Sequence, residues 1–141
     1  MDKQSLRLKH LEFIQASITR QAQNSFQMKN WTIVVLAALI ALYADKGGIM
    51  YLVVSLVAVL AFWGLDGYYL HQERKFRDLY DRVVSDLNEG TDKVVPLSMD
   101  LDSRQGFSRW ICACFSRTIV CIYGPLAVGI IIFLHTISNC E

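Results

Sequence analysis

Three uncharged runs, residues 30–44, 47–65 and 118–140, constrain this chain more than anything else in it. Charges resume abruptly at their edges, at Lys29, Asp45, Lys46, Asp66 and Arg117. A bilayer hydrocarbon core about 30 Å thick asks for roughly 20 mostly apolar residues in a helix. The second and third runs reach that length. The first covers only about 22 Å at ~1.5 Å per residue, so Lys29 has to snorkel or the span has to draw on Gln27 and Met28. A soluble bundle with very apolar core helices is the competing reading, but the third run has no polar face to turn toward water. The expected fold class is an all-α integral membrane protein, oligomeric, with three transmembrane helices and long cytoplasmic amphipathic helical extensions.

At 141 residues, with no Pro- or Ser-rich linker, the chain has room for a single membrane domain over 1–141 and no separate catalytic module. Its expected parts are a cytoplasmic amphipathic helix at 1–29, spans at 30–44 and 47–65, a cytoplasmic helix and loop at 66–109, and a third span at 110–138. The strongly polar stretch before Lys29 does not read as a cleavable signal peptide. Five Lys and Arg precede the first span, one lies in the first connection and eight lie in the stretch from Asp66 through Arg117. Basic residues are retained on the cytoplasmic side. The N terminus and middle stretch are therefore expected in the cytoplasm, and the Asp45-Lys46-Gly47-Gly48 turn and C terminus outside. Trp31, Trp63 and Trp110 fall at the expected inner interface, and Tyr43 and Tyr51 flank the outer turn.

Between Leu6 and Met28 there is no Gly or Pro, and Leu11, Ile14, Ile18, Ala22 and Phe26 recur at helical spacing. Nothing interrupts that helix before Trp31, so it is expected to continue into the first span. Tyr69, Phe76, Tyr80, Val83 and Leu87 form a similar stripe beyond the second span, ending near Asn88-Glu89-Gly90. The two stripes are expected to pack on each other or on neighbouring copies. From Val95 to Asp102 the period changes to the alternation of a strand, with Pro96 restricting it to an edge or an extended clip. In the third span Gly124-Pro125 predicts a kink, while Ala37, Ala41, Ala58, Ala61 and Gly64 give the other spans small faces for close helix contact.

No catalytic constellation emerges, and the chain is not expected to be an enzyme, to carry a cofactor or to bind a metal. His10, His71 and His135 are scattered, and His71 and Glu73, two apart, point to different helix faces. No Gly-rich phosphate loop or nucleophile elbow is present. Cys112, Cys114 and Cys121 read as small apolar packing residues; Cys140, in the tail, reads as a free thiol, with a link between subunits as the alternative. Asp66 closes the second span. It reads either as a helix-end acid, hydrated at the interface or paired with Arg117, or as one member of a carboxylate ring at a cation vestibule, which requires an oligomer because three spans cannot enclose a pore. Asp66, Gly124 and Pro125 are thus the pore or gate candidates. Arg20, Lys29, Arg74, Lys75 and Arg77 read as contacts to anionic lipid. Alternatively they form a basic collar which, with Phe26, Tyr68 and Tyr69 nearby, would bind an oligonucleotide or nucleotide by phosphate contact and stacking.

Leu11-Glu12-Phe13-Ile14-Gln15, Ile18-Thr19-Arg20, Asn24-Ser25-Phe26 and the approach from Lys29 to Trp31 carry a further signal. So do Trp63 to Asp66, Tyr68-Tyr69-Leu70, Gln72-Glu73-Arg74, Phe76-Arg77 and Leu79-Tyr80-Asp81. Over roughly the first 85 residues the pattern resembles small multi-span membrane effectors of bacterial antiphage-defence operons, of the Hailong type, encoded beside a nucleotidyltransferase. The resemblance implies an oligomeric inner-membrane channel that dissipates ion gradients on infection. It also implies a partner nucleotidyltransferase whose signal gates the pore, with single-stranded DNA oligomers holding the effector inactive in Hailong systems and cyclic nucleotides switching related effectors on. A non-conducting membrane scaffold that recruits a cytoplasmic partner and a holin-like lesion former are the alternatives.

Overall fold

The computed structural model of the chain describes residues 3–89 and 106–139, and these are helical apart from short turns. Helix α1 (Lys3–Lys46) and helix α2 (Ile49–Glu89) are each more than forty residues long, α3 (Phe107–Cys114) is short, and α4 (Arg117–Ser138) has 22 residues. Three of them, α1, α2 and α4, are long and apolar enough to cross a membrane. The first connection is tight because Gly47 and Gly48 take φ of 67° and 96°, a region that side-chain-bearing residues rarely adopt. Gly47 N–H closes α1 on the Tyr43 carbonyl at 2.8 Å, and α2 begins directly afterwards.

Both long helices run unbroken out of their apolar halves, as the lack of Gly and Pro between Leu6 and Met28 predicts for α1. They form an antiparallel pair joined by two separate apolar clusters. The cluster far from the turn buries Ile14, Leu79 and Val83, with Leu11, Ile18, Phe76, Tyr80 and Leu87 packed around them. The cluster within the apolar halves buries Leu36, Val59, Ile119, Tyr123, Ala127 and Ile130, with α4 laid against α2. Most of each expected stripe is found here. Ala22 and Phe26 depart from it: Phe26 is 64% exposed, because the face of α1 that meets α2 continues through Ser25, Thr32 and Leu36 instead. Tyr69 is half-buried outside the first cluster, and Leu79, absent from the expected stripe, is buried within it.

The segment expected as one span at 110–138 is divided. Helix α3 stops at Cys114, Ser116 is extended (φ −61°, ψ 142°), and α4 starts at Arg117. The cause is tertiary. The Trp63 indole donates to the Cys114 carbonyl at 2.8 Å, taking the acceptor that a continuing helix would offer to residue 118. Gly67 lies so close that a Cβ there would stand 2.2 Å from Cys114 Sγ and 3.2 Å from its Cα. Trp110 packs over Gly64. The interruption of the chain's last apolar stretch therefore falls at Phe115–Ser116, while α4 is continuous through Pro125. Ala37, Ala41 and Ala61 face outward rather than into the helix contacts. The strand-like segment at 95–102 and Cys140 lie outside the described residues.

Candidate functional site

Between the two apolar clusters the α1–α2 contact is polar and charged. Asp66 is fully buried, although it closes an apolar run and the sequence suggests a hydrated position for it. It faces α1, not Arg117. Lys29 Nζ stands 2.6 Å from Asp66 Oδ2, an ion pair approaching off the hydrogen-bonding direction. The Ser25 hydroxyl donates to Asp66 Oδ1 and accepts from Lys29 Nζ at 2.8 Å, while the Ser25 carbonyl accepts a further bond from Nζ at 3.3 Å. Ser25 and Lys29 are one helical turn apart, so α1 presents both on the face that meets Asp66.

One turn further along α1, the buried Thr32 donates to the Met28 carbonyl at 2.7 Å. Its hydroxyl lies 3.4 Å from that of Tyr123, a fully buried residue of α4. Tyr123 also lies close enough to Asp66 to interact with it, and its ring stacks on Trp63 with centroids 6.2 Å apart. Residues from all three long helices thus converge on one carboxylate.

The physical cost of this arrangement is high. A buried ion pair recovers its desolvation penalty only when the geometry is good and the remaining polar atoms are bonded. Within a membrane span an ionisable residue is still more costly, and such residues turn toward partners or cavities. Lys29 is engaged by Asp66 within the helix pair rather than extended toward solvent.

The other expected site residues are not gathered with this seam. Gly124 is half-buried and Pro125 exposed on α4. Of the basic set, Arg77 pairs with Glu73 at 2.7 Å one turn away, and Arg74 donates to Ser116 Oγ at 3.0 Å. Arg20 is exposed and Lys75 half-buried. A groove of about 430 Å³ between α1 and α2 is lined by Gln15, Ile18, Thr19, Arg77, Tyr80 and Asp81, so one cation and one carboxylate share it. Tyr68 and Tyr69 meet edge to face at 5.7 Å, with Tyr68 accepting from Gln72. Cys114 is buried, but Cys112 and Cys121 are exposed, so only one of the three serves as packing inside the chain. Among the described residues no three His, Cys, Asp or Glu side chains converge as a metal site.

Sequence reasoning assigned Lys29 and Asp66 to different roles, and it passed over Ser25, Thr32 and Tyr123. The available signal was the spacing of 25, 29, 32 and 36, which continues the stripe of 14 and 18 with polar members. No protein-family model, curated protein or solved structure matches this chain.

Proposed function

We propose that the protein is an oligomeric membrane channel or pore effector, closed in the conformation described here by the Lys29–Asp66–Ser25 seam. The observation that carries this reading is a fully buried carboxylate, ion-paired across two helices at the end of their apolar spans. An interaction of that kind holds the helices in one register and releases them cooperatively, as a two-state element must. Three spans cannot surround a conduit, so the pore forms between copies, and the outward-facing Ala37, Ala41 and Ala61 suit close helix contact between them. Asp66 acts here as a latch rather than as a ring member, since its carboxylate is occupied within its own chain.

The helices beyond the spans are the sensor in this reading. A nucleic-acid or nucleotide signal bound near Arg20, Arg74, Lys75 and Arg77 biases the latch only through unequal affinity for the latched and released states. The antiphage-defence setting, the partner nucleotidyltransferase, inhibition by single-stranded DNA oligomers and the inner-membrane location with a cytoplasmic N terminus and outside C terminus follow from the resemblance and the charge distribution.

The test is ion flux from liposomes carrying the purified chain, with and without short single-stranded DNA oligomers, for the natural protein and for Lys29→Met. Flux that rises on loss of Lys29 and falls with oligomers is the expected result. Flux unaffected by oligomers keeps the channel and removes that signal. No flux from either protein, with both folded, overturns the channel in favour of a non-conducting scaffold.

A further inference from the structure

Helix α3 divides its surface into three parts. Ala113 and Cys114 are buried, and Trp110 lies over Gly64 of α2. Arg109 and Cys112 line a pocket of about 330 Å³ with His71, Arg74 and Asp78 of α2. Phe107 and Ile111, one turn apart, lie on the other flank and are exposed, Phe107 by 72%.

The contacts of α3 fix how it lies. Arg109 and Trp110 are adjacent in sequence, yet their partners Asp78 and Gly64 stand about 21 Å apart along α2 at ~1.5 Å per residue. A helix lying along α2 could not place neighbouring residues so far apart, so α3 lies across it. Its Arg109–Cys112 flank turns away from the apolar half of α2. The flank carrying Trp110 and Cys114, at Gly64 and Gly67, turns toward that half. At about 100° per residue, Phe107 and Ile111 continue this second flank.

The level is that of a membrane boundary. Gly64 and Gly67 bracket Asp66, where the uncharged run of α2 ends, and α3 passes through Phe115 and Ser116 into α4 at Arg117. Aromatic rings gather there, Phe107 against Trp110 at 5.2 Å and Phe115 against Trp63 at 6.0 Å. The outward apolar surface of α2 arrives at the same level through Leu60 and Leu65, both about half exposed. Trp side chains concentrate at the membrane–water boundary. An amphipathic helix lies in the plane of that boundary with its apolar face about 5–10 Å into it.

We propose that α3 is an interfacial helix, seated crosswise in the headgroup–acyl boundary with Phe107 and Ile111 in lipid and Arg109 in water. The bilayer is the partner because the stripe extends the outward apolar surface of α2 at the depth where the charges begin. The proposal needs the apolar helices to span a membrane, and it stands whether or not the protein conducts ions.

The experiment places a nitroxide label at Phe107→Cys, Ile111→Cys or Arg109→Cys, one at a time, in a full chain whose four native cysteines are replaced by alanine. All three positions are exposed, so the labels do not threaten the fold. In lipid vesicles, oxygen partitions into the acyl region and a nickel chelate stays in water. Labels at 107 and 111 are expected to be relaxed by oxygen and to lose access to the chelate, while the label at 109 stays open to it. Chelate access at 107 and 111 equal to that at 109 would overturn the proposal, since the stripe then faces water. Exclusion of both reagents at 107 and 111 would also overturn it, since a second copy or another segment then covers the stripe. A second measurement keeps the native cysteines. The fluorescence lost in Trp110→Phe should be quenched more by lipids brominated near the glycerol than by lipids brominated at the chain ends. The reverse order, or quenching by neither, would count against an interfacial α3.

Discussion

The α1–α2 pair is held together in two different ways along its length. Far from the turn, Ile14 packs against Leu79 and Val83 in an ordinary apolar seam. Toward the membrane end, Ser25 and Lys29 meet Asp66, and Thr32 meets Tyr123. Dispersion and burial are non-directional and tolerate changes of shape at modest cost. A buried charge pair is directional and fails when either partner is lost. On the proposed reading, the first region is a clamp and the second a latch.

The largest effect should come from breaking the latch on one side. Lys29→Met leaves Asp66 buried without its cation and should cost about 3–5 kcal/mol. Reversible unfolding of the reconstituted protein in increasing detergent denaturant measures this. Adding Asp66→Leu to Lys29→Met should restore most of the loss, because an apolar pair of similar volume replaces a buried ion pair at little cost. If the double variant is no more stable than the single, the charge pair is not what Asp66 depends on.

In the clamp, Ile14→Ala should cost about 2–5 kcal/mol in the same assay, with Ile14→Leu costing under about 1.5 kcal/mol. The contrast between the regions predicts that Lys29→Arg, which preserves charge but not shape, is tolerated less well than Ile14→Leu. Equal tolerance would erase the distinction. The smallest of the three effects is expected at Gly67→Val, which overfills the α2–α3 contact at about 1–3 kcal/mol. Its sharper readout is chemical: in a variant whose only cysteine is Cys114, maleimide labelling of that buried thiol should accelerate as α3 lifts from α2.

How much of this was legible in the sequence follows the same division. The clamp could be read almost residue by residue, because apolar side chains at helical spacing have one cheap place to go. The latch could not. Ser25, Lys29 and Thr32 are residues that usually face water, so a hydrophobic stripe drawn through Ala22 and Phe26 looked continuous when the buried face had turned to its polar members. Asp66 was visible as an unusual acid, but its partner was assigned by depth to Arg117, and depth does not say which helix faces which. The helix expected to run through 110–138 is divided for a related reason. Its composition stays apolar across Phe115, and the break is imposed by Trp63 and Gly67 from another helix.

What the sequence determined by itself is the set of membrane-length apolar helices, the length of α1 and α2 beyond them and the turn at Gly47-Gly48, all local consequences of hydropathy, helix propensity and glycine's access to positive φ. The tertiary structure decided the pairing of Lys29 with Asp66, the approach of Tyr123 from α4, and the break that sets α3 against α2 beside Arg74. Each of these depends on which faces of separate helices meet. Periodicity along one helix specifies that a face exists, but only packing specifies its partner.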